Sequence, residues 1–288
     1  MNDGVRVAFA GERNRFAPHV PADAAFVATD EHDPQRRLAE AGADAVVCLV
    51  TDGFPAGVVE GLRGTVLGWI PDAIPRPTPE DLPPDTEGAL ARVRGRDLSR
   101  YARVVACDPL AAEAVGAWRS APLPVADHLF ADVQAEGAAA VPLYLGGDVE
   151  GEREWILEYG RYGQELVSPG AHPPPELLER LLREAAIGVN VHAVPSELHE
   201  PTVALHLAAG HLLVSERLAP SRGLVPGLDY VEAANLEEVQ LAVWAFQQWP
   251  PAYAATRRRG RLKAELFRAS RVYSRVISDA LRDVAAFG

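Results

Sequence analysis

Short apolar runs alternate with stretches of helical period along the whole chain. Val5–Phe9, Ala25–Ala28, Ala45–Leu49, Thr65–Trp69 and Arg103–Cys107 each read as a buried strand. Pro34–Ala41, Ala56–Leu62, Ala89–Tyr101 and Pro109–Trp118 lie between or after them with helical spacing, the last opened by Asp108 as N-cap with proline in the first position. Strands alternating with helices predict a parallel α/β sheet. The second half repeats the pattern. Strands are expected at Val141–Leu145, Glu165–Val167, Ile187–Val191, Leu212–Ser215 and Tyr230–Val231, and helices at Glu152–Tyr159, Pro175–Ala185, Pro201–Ala209 and from the Asn235 cap to Trp249. Pro250-Pro251 stop that last helix, and a final amphipathic one follows with Leu262, Leu266, Ala269, Tyr273, Val276 or Ile277, and Ala280 on one face.

The expected architecture is two Rossmann-like β/α/β domains facing a cleft. The small, polar stretch Asp132–Ala140 marks the boundary, giving domains of residues 1–136 and 137–288. The stripe over about 262–285 is too long for the small second sheet to cover, so the last helix is expected to pack on the first domain. Pro71–Gly88, with six prolines in 18 residues, reads as a surface loop hung from the Thr65–Trp69 strand.

Ile187–Glu216 is a compact βαβ crossover: strand, polar loop His192–Glu200, helix opened by Pro201, a Gly210 stop, strand. Such a unit sets a strand's carboxyl end, its loop and a helix N-terminus at one sheet edge, where first-turn amides can hold an anion. Gly146-Gly147, closing the strand before it, allow either close approach of a charged ligand or simply a tight turn. The first turn of the chain, Phe9–Phe16, has one glycine where a dinucleotide fingerprint needs three, which excludes an NAD or FAD site there.

Composition narrows the classes. A hydrophobic fraction of 48% with 24% charge excludes large-scale disorder, and a net charge of −12 argues against nucleic acid, whose phosphates need a basic surface. The charge is uneven: Arg257–Arg282 carries nine Lys or Arg against Glu265 and Asp279. A solvated basic helix face is the expectation for Arg257–Arg275, with peripheral contact to an anionic membrane as the alternative. Cys48 and Cys107 sit inside strands without metal or redox spacing. With neither signal-peptide pattern nor membrane span in the sequence, the expected location is cytoplasmic.

The run Pro195-Ser-Glu-Leu-His-Glu-Pro-Thr-Val-Ala-Leu-His-Leu-Ala-Ala-Gly210, then His-Leu-Leu-Val-Ser-Glu216, Gly227-Leu-Asp-Tyr-Val231 and the helix after Asn235, resembles the donor-binding half of GT-B glycosyltransferases of the group-1 type, including the CgeB-like set. The resemblance covers about residues 141–250; over the first half it is weaker, resting on Trp69–Asp72 and Tyr101–Pro109. It implies a hexosyltransferase-like enzyme that moves a sugar from a nucleotide-diphosphate sugar to an unknown acceptor. It implies Glu197 and, on the acceptor side, Asp72 as catalytic candidates, and Gly146, Gly147, Asn190, His192, Glu200, Thr202, His206 and Glu216 as donor-binding ones. From the residues alone Asp72 reads first as a turn or cap aspartate, and Glu200 first as a helix cap. Two departures stand out. Leu205 occupies the place of the second glutamate of the family's pair, and the basic pair for the diphosphate has only Arg153 and Arg161 as candidates. The alternative is therefore a GT-B-shaped binding or partner protein without transfer activity.

No cofactor and no metal are expected. His192, His199, His206 and His211 crowd 20 residues without the i, i+4 pair of a zinc helix, and no Asp-x-Asp occurs in the sequence. Helix amides, glycine-loop amides and arginines can stabilise a leaving diphosphate without a cation cofactor.

Overall fold

The computed structural model describes residues 4–78, 85–133, 139–147, 166–193 and 196–287. The expected helix Glu152–Tyr159, together with Asp148, Arg153, Arg161 and Pro195, lies outside them. The chain divides into two units, the first of Met1–Ile74, Asp85–Asp127 and Phe267–Gly288, the second of Pro75–Pro84 and His128–Leu266.

In the first unit, β1 (Val7–Gly11), β2 (Ala25–Ala28), β3 (Ala45–Leu49), β4 (Thr65–Ile70), β5 (Arg103–Ala106) and β6 (Arg119–Ser120) form a parallel sheet of order β2-β1-β3-β4-β5-β6. Strand β6, two residues long, has no hydrophobic pattern in the sequence and exists by pairing with β5. Apart from α2, which keeps its expected bounds, the expected connecting helices are shorter than their patterns. α1 is the single turn Arg13–Phe16, and α2 spans Pro34–Ala41. The expected helix at Ala56–Leu62 is a 3-10 turn over Ala56–Val59, and α3 spans Thr86–Arg94, ending at Gly95. α4 (Pro109–Val115) stops at Gly116, which takes φ +62°, a conformation that costs a residue without Cβ little. Asp108 caps it, accepting from the Leu110 amide at 2.8 Å, and also accepts from the Ile74 amide at 3.1 Å.

In the second unit, β7 (Ala139–Tyr144), β8 (Ala185–Asn190), β9 (Leu212–Ser215) and β10 (Val231–Glu232) form a parallel sheet of order β10-β9-β8-β7. Val167 bridges to Leu143 alongside β7. The helices are α5 (Pro175–Glu184), α6 (Pro201–Ala208), α7 (Leu236–Gln248) and α8 (Ala254–Lys263). Side chains of a strand alternate between its faces. Ile187, Val189 and Val191 therefore pack with Val239, Val243 and Phe246 of α7, while Gly188 and Asn190 meet His206 and Thr202 of α6 on the other face. Asn235 caps α7 by accepting from the Glu238 amide at 3.0 Å.

The final amphipathic helix is not one helix. A 3-10 segment, Ala264–Phe267, separates α8 from α9 (Ala269–Phe287) and resets the helical phase. As a result Leu262 and Leu266, expected on the apolar stripe, are 70% and 58% exposed. Val272, Tyr273, Val276, Ile277 and Ala280 of α9 are buried in the first unit's core with Phe9, Leu67 and Trp69.

In the Arg257–Arg275 stretch, Arg258, Arg259, Arg271 and Arg275 are exposed as the solvated face requires, but several of its arginines also have structural partners. Arg257 is buried and donates to the Gly210 carbonyl at 3.0 Å. Arg259 pairs with the buried Asp229 at 3.1 Å, and Arg261 donates to the Ala131 carbonyl at 2.7 Å while pairing with Glu265. These arginines satisfy carbonyls and acids that packing has cut off from water, which a count of charges along the chain does not reveal.

Candidate donor site

Among the described residues of the second unit, the order in which successive parallel strands are laid down reverses at one place in the sheet. From β7 the chain goes out to Val167 on one side and returns to β8 on the other. Connections that leave adjacent strands in opposite directions open a crevice at their carboxyl ends, where α/β sheets bind ligands. The residues at these ends are Gly146-Gly147 after β7 and Asn190 to His192 at the end of β8. Asn190 pairs in register with Ser215, so Ser215-Glu216 closes the neighbouring β9 at the same edge.

A buried polar network ties β8, β9 and α6 together here. Thr202 Oγ1 donates to Asn190 Oδ1 at 3.0 Å, and Asn190 Nδ2 donates to Ser215 Oγ at 3.0 Å. His192 Nδ1 lies 2.7 Å from the Ser196 carbonyl, which can only accept, so that nitrogen carries the proton. The Nε2 lone pair then faces Asn190 Nδ2 at 3.4 Å. The Ser215 hydroxyl donates to the Glu216 carbonyl at 2.7 Å, and the Glu216 carboxylate accepts from the His192 amide at 2.7 Å. Satisfied buried networks of this kind hold a loop in one conformation.

The loop after β8 is also held by an isolated antiparallel bridge. Glu197 exchanges both backbone hydrogen bonds with Arg76, at 2.9 and 3.1 Å, and the Arg76 guanidinium donates to the Ala219 carbonyl at 2.9 Å. The Glu197 carboxylate pairs with Arg217 at 3.2 Å, and the Leu198 amide donates to the Arg217 carbonyl at 3.3 Å. His199 is kept neutral, with its pKa pushed down to about 3 by burial and by Arg222.

Of the residues named from the sequence, Asn190, His192, Thr202 and Glu216 belong to one hydrogen-bonded assembly, and Glu197 lies on the loop that assembly fixes. Glu200 occupies the N-cap position of α6, as the cap reading has it, although its side chain accepts no bond from the first turn. His206 is a correction. Its ring is fully buried under Gly188 in mid-strand, with Nδ1 3.1 Å from Nδ1 of His211. It shares a helix face with Thr202, but one turn deeper, where packing replaces contact with solvent.

Gly146 is half-buried, and the Tyr144 ring occupies the space its Cβ would need. Gly147 is exposed, and a Cβ there would stand 3.7 Å from that of Ala171. The Tyr144 hydroxyl donates to the Gly147 carbonyl at 3.3 Å. Part of the glycine requirement is thus internal packing. Leu205, standing where the family has an acid, is buried within α6.

Asp72 belongs to the first unit, and is neither turn nor cap. Both its oxygens accept from Arg96, at 2.5 and 2.8 Å, and Arg96 also bonds Asp52 and the Val50 carbonyl. Arg76 and Arg217 escaped the sequence reading, because one sits in a proline-rich stretch more than a hundred residues away and the other bears no motif. No group of three or more His, Cys, Asp or Glu placed to hold a metal ion occurs among the described residues. No helix among them is long and apolar enough to cross a membrane.

No family model matches the sequence, and no curated protein matches it significantly. Solved structures do match. Anabaena HepE, determined in complex with UDP-glucose, aligns with a TM-score of 0.57 at 9% identity over 96% of this chain and 99% of that one. AviGT4, a glycosyltransferase involved in avilamycin A biosynthesis, aligns with a TM-score of 0.54 at 15% identity over 98% of both chains. Sucrose-phosphate synthase from Thermosynechococcus elongatus gives 0.55 at 13% identity, over 98% of this chain and 89% of that one. At such identities the likeness is one of fold, and the fold of this chain is the GT-B fold of these glycosyltransferase structures.

Proposed function

We propose that this chain is a glycosyltransferase that takes a sugar from a nucleotide-diphosphate donor, held in the second unit at the carboxyl ends of β7, β8 and β9. The observation that carries the proposal is the reversal of strand order between the parallel β7 and β8, with paired glycines following one strand and Asn190 ending the other. In the reaction the bond from sugar C1 to the diphosphate oxygen breaks and C1 bonds to the acceptor oxygen. The acceptor's proton passes to a base, and the diphosphate leaves as an anion. The groups proposed to stabilise that anion are the Gly146-Gly147 backbone and the Thr202 amide in the first turn of α6, Pro201 having no N–H and the Val203 amide donating to the Glu200 carbonyl. UDP and UDP-glucose in complexes of HepE agree with this reading. It includes no metal requirement.

The test is a thermal-shift screen of UDP, GDP, ADP and dTDP with and without EDTA. One of them at 100 times its dissociation constant should add about 2.7 kcal/mol of stability, and EDTA should leave the shift unchanged. No shift with any of the four would overturn the proposal. A second reading, a binding protein without transfer, is favoured by Leu205 in place of an acid. Nucleotide binding with no release of sugar from any donor over long incubation would select it.

A further inference from the structure

Resting on the transferase reading, we propose that Arg217 is the cation that receives the donor's diphosphate, and that Glu197 is a positioning residue that holds Arg217 until the anion arrives. A leaving diphosphate needs a full positive charge close by as well as amide dipoles. At the carboxyl edge of this sheet Arg217 directly follows Ser215-Glu216, the end of β9, and its side chain is 60% exposed. Glu197 is its ion-pair partner at 3.2 Å, with a side chain only 22% exposed.

The two ends of this pair differ in freedom. Glu197 is anchored through its backbone by both bonds to Arg76, while the Leu198 amide bonds the Arg217 carbonyl. The acid is therefore fixed and the guanidinium reaches out from a fixed backbone into water. A single carboxylate holds a largely solvent-exposed arginine weakly. A diphosphate offers more charge and several acceptor oxygens in the fork geometry that a guanidinium prefers, so it displaces the carboxylate. Arg217 and Glu197 thus form an exchange pair: Arg217 is parked on Glu197 in the empty site and moves to the diphosphate on binding.

The test is calorimetric titration of whichever of UDP, GDP, ADP and dTDP binds the wild-type protein, alongside its parent nucleoside. Arg217→Gln should weaken the diphosphate at least about tenfold, and leave the nucleoside unchanged. Arg217→Lys should recover part of the loss. Glu197→Gln, which frees Arg217, should tighten the diphosphate a few-fold and not the nucleoside. Arg217 is exposed, so an unchanged melting temperature of Arg217→Gln without ligand is expected and verifies folding. If Arg217→Gln binds the diphosphate like wild type, this inference is overturned while the transferase reading stands; if wild type binds none of the four, both are overturned.

Discussion

At Gly188 and Gly147, two glycines with the same permissive backbone have opposite tolerances. A Cβ at Gly188 would run into the ring of His206, which is locked between β8 and His211, whereas at Gly147 the nearest atom would be at an ordinary 3.7 Å. Gly188→Ala is therefore expected to cost about 1–3 kcal/mol by overpacking, and Gly147→Ala less than about 1 kcal/mol, as surface substitutions usually do. Urea unfolding midpoints check the pair; equal losses would show that the ring can move aside. Sequence inspection ranks these two glycines the other way, because Gly146-Gly147 forms a motif and Gly188 is a lone glycine in a strand.

For the elements, the last helix is the instructive case. Its apolar period is legible, but the 3-10 segment between α8 and α9 is not, since Ala264–Phe267 has good helical composition. On α9, Tyr273 meets Phe9 and Trp69 edge-on, with ring centroids 4.7 and 5.1 Å away. Its hydroxyl is buried without a hydrogen-bond partner, and burial raises its pKa well above the usual tyrosine range. The ring stabilises the core and the oxygen does not. Tyr273→Phe should accordingly be neutral or stabilising by up to about 1 kcal/mol, whereas Tyr273→Ala should cost about 3–5 kcal/mol. Thermal denaturation distinguishes these outcomes, and a large loss in Tyr273→Phe would mean that the hydroxyl is satisfied in solution.

The whole molecule carries an acid sensitivity built into the second unit. His211 Nε2 faces the Leu182 carbonyl at 2.8 Å and so carries the proton; its Nδ1 accepts from His206 Nδ1, and both rings are fully buried. Burial pushes the His211 pKa down to about 4, with Arg257 nearby adding to the effect, and holds His206 well below its ordinary 6.5. Unfolded, both would take up protons as pH falls through about 6.5. Because the unfolded chain then binds more protons than the folded one, stability is complete above pH 6.5 and is lost progressively as pH drops toward about 4. Glu31, Asp44, Asp97 and Asp279, whose pKa values are lowered chiefly by hydrogen bonds to their partners, add acid sensitivity at lower pH. Denaturation midpoints should be level from pH 8 to 6.5 and fall by pH 5, and a His206→Leu, His211→Gln double variant should reduce that fall, leaving the part that belongs to His199, which is also held below its ordinary value. An unchanged slope in the variant would assign the sensitivity elsewhere.

Local pattern alone determined the α/β alternation, the caps at Asp108 and Asn235, the break at Gly210, and the crossover from Ile187 to Glu216, because each is set by neighbours within a few residues. The GT-B likeness was legible for a related reason: its motif residues are contiguous around α6. Tertiary structure decided what depends on pairing between distant residues. It made a strand of Arg119–Ser120, set Arg76 against Glu197, paired Arg217 with Glu197 and Asp72 with Arg96, drew Arg257 inside to the Gly210 carbonyl, and placed His206, a donor-binding candidate, in the core. Residue type states what a side chain can bond to, but the partner is chosen by which backbones the sheet order brings together. For charged and polar groups that choice separates a solvated residue from a structural or a ligand-binding one.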